Sequence, residues 1–134
     1  LVFRDFPLDK VALSAARLAH CVQGDAYFNL LDVLFRSQKD WAQASDPELA
    51  LRQIGRTAGL EEAVMDQCMN DQAELDKIVA RFKEANEKFQ VSSTPTFIIN
   101  GEVHPGGLPF DDFDVDGKLQ PGFATLIKGF LPAQ

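Results

Sequence analysis

The sequence predicts an α/β layer protein in which a run of helices is inserted between the strands of one sheet. Two observations carry this. Thr96-Phe97-Ile98-Ile99 is a short apolar and β-branched run, entered from the polar loop Val91-Ser92-Ser93-Thr94-Pro95 and left through Asn100-Gly101, which is the pattern of a loop, a buried strand and a turn. A second aromatic and β-branched stretch stands at residues 1–5, and the residues between the two are patterned almost wholly for helices. A block of helices between strands fits a sheet carrying a helical subdomain.

Taken in order, Val2-Phe3-Arg4-Asp5-Phe6 predicts a strand over 1–5, closed by Pro7, because proline cannot donate to a ladder. Asp9 caps a helix from 10 to about 22, with Val11, Ala15, Leu18 and Val22 at helical spacing. Gly24 closes it and Asp25 opens the next, to about 37, with Tyr27, Leu30, Leu31 and Leu34 on one stripe. Trp41 follows in a polar connection as a packing anchor. Asp46-Pro47-Glu48 sets a cap, a first-turn proline and a first-turn acid in the order a helix start requires, and Gly59 ends that helix. A short helix spans 61–69. Asp71 and Glu74, at capping-box spacing, open another from 72 to about 88 with Leu75, Ile78, Val79, Phe82 and Phe89 as its apolar stripe. After the strand at 96–100, Gly101-Glu102 turn into an antiparallel partner near 102–105, broken by Gly106-Gly107. An acidic loop and a final helix opened by Pro121 complete the chain. The predicted order is strand, five helices, strand, strand, helix.

At 134 residues the chain is one domain at most. A net charge of −7 and a pI near 4.7 exclude nonspecific nucleic-acid and anionic-membrane binding, which need a basic patch. No stretch is long and apolar enough to span a bilayer. The chain does not begin with Met and opens on what reads as the middle of a strand, so it is expected to be a processed or truncated piece of something longer.

Cys21 and Cys68 are too far apart in sequence for a Cys-x-x-Cys redox or zinc motif. Two readings of the pair stay open at this point: buried free thiols, and a structural disulfide across the helices. Neither cysteine has a basic neighbour or a helix N-terminus to favour its thiolate, which argues against catalysis. His20 and His104 do not make a metal site, and His20 reads as a helix-end residue packing its ring. Asp112, Asp114 and Asp116 followed by Gly117 resemble the start of an EF-hand loop, but Phe123 occupies the position of the bidentate glutamate. The expectation is a solvated acidic loop and no metal.

Several segments together resemble the DsbA-like disulfide oxidoreductases of the thioredoxin fold. They are Leu1-Val2-Phe3-Arg4-Asp5-Phe6-Pro7-Leu8, Leu18-Ala19-His20-Cys21, Ile54-Gly55-Arg56-Thr57-Ala58-Gly59-Leu60, Ser93-Thr94-Pro95-Thr96-Phe97-Ile98-Ile99-Asn100-Gly101 and Phe110-Asp111-Asp112-Phe113. They run in the family's order from residue 1 to about 113. The resemblance implies a thioredoxin-like sheet, incomplete at its N-terminal side, with an all-helical insertion: residues 1–6 and 90–134 would supply the sheet portion and C-terminal helix, and 7–89 the helical subdomain. The family pattern departs after Phe113, where residues 114–120 look inserted or altered.

The family's nucleophile lies in a Cys-x-x-Cys motif at a helix N-terminus, which would fall upstream of Leu1. The resemblance therefore implies no catalytic residue within this chain. It assigns Thr94 and Pro95 to the cis-proline loop that faces the active disulfide and pairs with the substrate backbone. In an oxidising periplasm a Cys21–Cys68 disulfide would clamp the helical subdomain, while buried free thiols stay the other reading of the pair. The implied function is part of a thiol:disulfide oxidoreductase acting on cysteines of secreted polypeptides, periplasmic or otherwise exported, with a membrane quinone-linked redox partner and no cofactor. Two alternatives stand beside it: a glutathione-transferase-like or isomerase member of the same fold family, and a non-catalytic peptide-binding module. The strand leading into the catalytic helix would lie between 1–5 and 96–100. Its place is expected to be filled by an upstream segment, by a strand-exchanged second copy, or by rearrangement of the elements.

Overall fold

The computed structural model describes residues 2–131. The elements are α1 (Lys10–Ala19), α2 (Asp25–Arg36), α3 (Gln38–Ala42), α4 (Pro47–Thr57), α5 (Glu62–Met69), α6 (Gln72–Phe89), β1 (Thr96–Ile99), β2 (Glu102–Pro105), β3 (Phe113–Val115), β4 (Lys118–Gln120) and α7 (Phe123–Lys128). They divide into two compact units, one ending at Lys83 and the other beginning at Glu84.

In the first unit the helix starts follow from side-chain caps. Asp9 Oδ1 accepts from the Ala12 N–H at 2.7 Å and Asp46 Oδ1 from the Leu49 N–H at 3.0 Å, each satisfying a donor that the first turn leaves unpaired. The buried stripes of these helices make one core, which includes Leu18, Leu30, Leu34, Leu51 and Met65. Gly55 lies where α1, α4 and α5 approach: a Cβ there would run into Met65 Sδ and come within 3.1 Å of Leu18 Cδ1. The anchor expected at Trp41 is buried in this core, and its indole N–H donates to the Leu34 carbonyl at 2.7 Å. Trp41 sits in the short helix α3 rather than in a plain connection, so six helices precede β1. α1 is shorter than its apolar spacing suggests: it ends at Ala19, with His20 as its C-cap.

The strand expected at 1–5 is not formed by the described residues 2–5. A strand is defined by its ladder, and none of the strands present pairs with this segment. Side chains hold it instead, with Phe6 stacked on Phe82 at 4.3 Å and Asp5 turned toward His20 and Tyr27.

In the second unit β1 and β2 form an antiparallel hairpin with Thr96 opposite Pro105 and Ile99 opposite Glu102. Asn100 and Gly101 both have positive φ, 50° and 90°, the backbone that a two-residue turn needs to match strand twist. The segment expected as an acidic loop is a second hairpin. β3 and β4 pair Phe113 with Gln120 and Val115 with Lys118 around Asp116-Gly117, again with two positive φ values, 54° and 76°. α7 begins at Phe123, two residues later than Pro121. Gly122 precedes it because any Cβ there would collide with the Asp111 carbonyl.

Candidate functional site

α6 ends in a tight exit. Gln90 takes a positive φ of 54°, the Val91 N–H donates to the Ala85 carbonyl at 3.2 Å, and the Asn86 side chain donates to the Val91 carbonyl at 3.1 Å. Val91 is buried, so the departure point of the following loop is fixed. The loop closes on itself through a hydrogen bond from the Thr96 hydroxyl to the Ser93 carbonyl at 2.7 Å. Thr94-Pro95 is a cis peptide, and both residues are exposed.

The register shows which backbone groups face outward. The Gly106 N–H donates to the Pro95 carbonyl at 2.8 Å, continuing the β1–β2 ladder by one pair. In an antiparallel ladder the backbone groups of alternate residues point to opposite edges. Pro95, Phe97 and Ile99 are therefore directed at β2, and Thr96 and Ile98 at the other edge of β1. Among the described residues β1 pairs with β2 alone, and Thr94 makes no hydrogen bond. Thr94 and the outer edge of β1 thus carry backbone groups with which no described residue pairs. On the ladder face Phe97 packs edge-on against Phe123 at 5.8 Å.

Cys21 and Cys68 form a disulfide, with Cα atoms 5.4 Å apart. It joins the turn after α1 to the last turn of α5, across the core of the first unit. Its position is that of a clamp on the helices.

The acidic triad is spread over three separate jobs. Asp112 Oδ1 accepts from the Gly122 N–H at 2.8 Å and, with Thr125 as its larger influence and Gly122 as the next, its carboxyl is held below the usual carboxylate range. Asp114 Oδ1 accepts from the Gly117 N–H at 2.8 Å, and Asp116 supplies a turn residue. Among the described residues no group of three or more His, Cys, Asp or Glu side chains is arranged to hold a metal ion.

Sequence reasoning missed one cluster. His20 lies between two carboxylates, with Nε2 2.7 Å from Asp5 Oδ2 and Nδ1 3.0 Å from Glu74 Oε1, and its ring meets Tyr27 at 5.2 Å. The expectation of a helix-end histidine packing its ring described only the last of these contacts. The partners are 15 and 54 positions away in sequence, beyond any local pattern.

The thioredoxin family matches residues 1–115, and the chain belongs to it. Within it the chain is similar to the DsbA-like oxidoreductases. The fold resembles the crystal structure of Wolbachia pipientis alpha-DsbA1, at 37% identity and a TM-score of 0.64 over 70% of this chain and 48% of that one. A single-substitution variant of the same protein matches equally well, at 36% identity. Proteins carrying the name protein-disulfide oxidoreductase match from Rickettsia conorii, at 30% identity over 89% of this chain, and from Rickettsia typhi, at 28% over 75%. The chain spans less than half the length of these relatives, 44% and 37% respectively.

Proposed function

We propose that this chain is the substrate-docking part of a DsbA-like thiol:disulfide oxidoreductase, the part that carries the inserted helices and the Thr94–Pro95 loop. The observation that carries the reading is the exposed, unpartnered Thr94 at the entry to a strand whose outer edge is open. Thiol–disulfide exchange requires a substrate sulfur to be brought in line with an attacking thiolate. Pairing an extended substrate segment with Thr94 and the edge of β1 fixes its backbone without selecting its side chains, which suits an enzyme with many polypeptide substrates. The attacking cysteine and its partner come from the Cys-x-x-Cys helix that the family places upstream. On the same reading residues 1–6 and 90–134 supply the thioredoxin-like portion and 7–89 the inserted helices. The substrates are cysteine-containing exported polypeptides, and a membrane quinone-linked partner restores the active disulfide. Export agrees with the Cys21–Cys68 bridge, since disulfides persist in oxidising compartments.

The test uses the full-length protein and a cysteine-containing peptide, unmodified or N-methylated beside its cysteine. Removing the peptide N–H removes a backbone hydrogen bond, with a net effect of about 1 kcal/mol and a further cost for the unpaired carbonyl. Exchange should slow by about tenfold or more. Equal rates for the two peptides would refute docking at this edge, and peptide binding without any exchange would favour a non-catalytic module.

A further inference from the structure

Three elements of the first unit meet at His20. Asp5 comes from the segment before α1, His20 caps the C-terminus of α1, and Glu74 lies in the first turn of α6. Their side chains are only 8%, 18% and 22% exposed, so water does little to relieve an unmet contact. Both ring nitrogens are within hydrogen-bonding distance of a carboxylate oxygen. An ionised carboxylate only accepts, and a neutral imidazole has a single N–H. Nε2 hydrogen-bonds Asp5, whereas Nδ1 faces Glu74 at ion-pair distance, and both contacts are attractive at once only when the cluster holds one proton more than a neutral imidazole and two carboxylates. The form that donates at both nitrogens to two ionised partners is the imidazolium.

The two arms are unequal. Asp5 is the more buried carboxylate, and it also receives the Tyr27 hydroxyl at 3.4 Å and 3.5 Å to its two oxygens. Burial, then the Asp5 charge and its hydrogen bond, hold the Tyr27 hydroxyl far above the usual phenol range. Glu74 is more exposed and already has Lys77 Nζ at 3.0 Å from its second oxygen. Leaving Asp5 without the histidine proton is therefore costlier than leaving Glu74 without it.

The other charges nearby are three arginines and one further carboxylate. Arg4 bonds the Phe3 carbonyl, Arg17 the Asp71 carbonyl, and Arg81 acts on Tyr27, while Asp71 caps the start of α6. The cations oppose an added proton, and the two carboxylates in direct contact favour it.

We infer that His20 is a proton-operated latch. With the second proton bound it ties the segment before α1, and α1 itself, to α6. When that proton leaves, it leaves from Nδ1: the Glu74 arm opens and Nε2–H stays on Asp5. The latch is internal to the first unit and stands whether or not the oxidoreductase reading holds.

Long-range proton–nitrogen NMR spectra of the full-length protein with 15N-labelled histidine read this directly, with His20→Gln assigning the signals. As pH rises, Nδ1 alone should lose its proton, leaving the Nε2–H tautomer in about tenfold or greater excess. Glu74→Gln should keep that tautomer but hold the second proton about tenfold more weakly, the size of effect expected for a direct carboxylate partner. Asp5→Asn should invert the preference to Nδ1–H. A neutral ring averaging freely between tautomers, or a Glu74→Gln variant that releases its proton at the wild-type pH, would overturn the latch. Should Asp5→Asn fail to fold, the Glu74→Gln comparison alone decides.

Discussion

The two units of this chain are stabilised by different means. Up to Lys83 lie α1–α5, which share one apolar core closed by a disulfide, and most of α6; among the described residues every buried hydrophobic residue except Val91 lies there. From Glu84 on, the described residues form the end of α6, two short hairpins and α7, organised by turns and side-chain-to-backbone hydrogen bonds. Two-stranded hairpins are marginal when isolated. The difference separates tasks: packing fixes the helices, whereas the candidate docking edge lies in a unit whose backbone groups are shaped by turn chemistry and left open on one side.

The sharpest way to test that contrast is to remove the bridge. In the chain-entropy model a loop closed between Cys21 and Cys68 contributes up to about 4 kcal/mol. A full-length protein with both cysteines changed to alanine should lose about 2–4 kcal/mol in urea unfolding followed by the fluorescence of Trp41, the single tryptophan of the chain. An unchanged midpoint would mean that the helical core does not depend on its clamp. The next effect is one of volume. Gly55→Val places methyl groups against Leu18 and Met65, both fully buried, and overpacking a filled core costs about 1–3 kcal/mol. A loss below about 0.5 kcal/mol would show the core yielding more readily than its packing suggests.

Much of this fold was legible in local sequence. Helix starts at Asp9 and Asp46 are chemical signals carried within four residues, and Asn100-Gly101 names its own turn. The hairpin at 113–120 carried an equally local signal, Asp116-Gly117 between Val115 and Lys118, with Phe113 and Leu119 beyond. The three aspartates fit a cation-loop pattern and a turn equally locally, and the backbone forms the turn. The strand expected at 1–5 failed for a different reason. Its composition is that of a strand, but a ladder needs a partner, and composition cannot supply one. His20 was illegible for the same kind of reason, since its meaning lies in Asp5 and Glu74. At the candidate docking loop, the family resemblance singled out Thr94-Pro95, while the unpaired edge of β1 became visible only from the register.

The smallest effect lies in the second unit and turns on one exposed carboxylate. Asp112 bonds the Thr125 hydroxyl and the Gly122 N–H, and these bonds favour its ionised form. Its folded carboxyl is thus lowered relative to the unfolded chain. A group lowered in this way contributes stability that is present above the unfolded carboxylate range and is lost as pH falls through the folded value. The amide of Gly122 and the side chain of Thr125 should therefore shift together on acidification, at a pH below that of an ordinary aspartate. Asp112→Asn retains an oxygen to accept the Gly122 N–H but has no proton to gain, so it should abolish the acid transition while keeping the α7 start in place. If the Gly122 amide instead titrates in the ordinary aspartate range, or still titrates in the variant, Asp112 does not govern this joint, and the entry to α7 rests on the close approach of Gly122 to the Asp111 carbonyl alone.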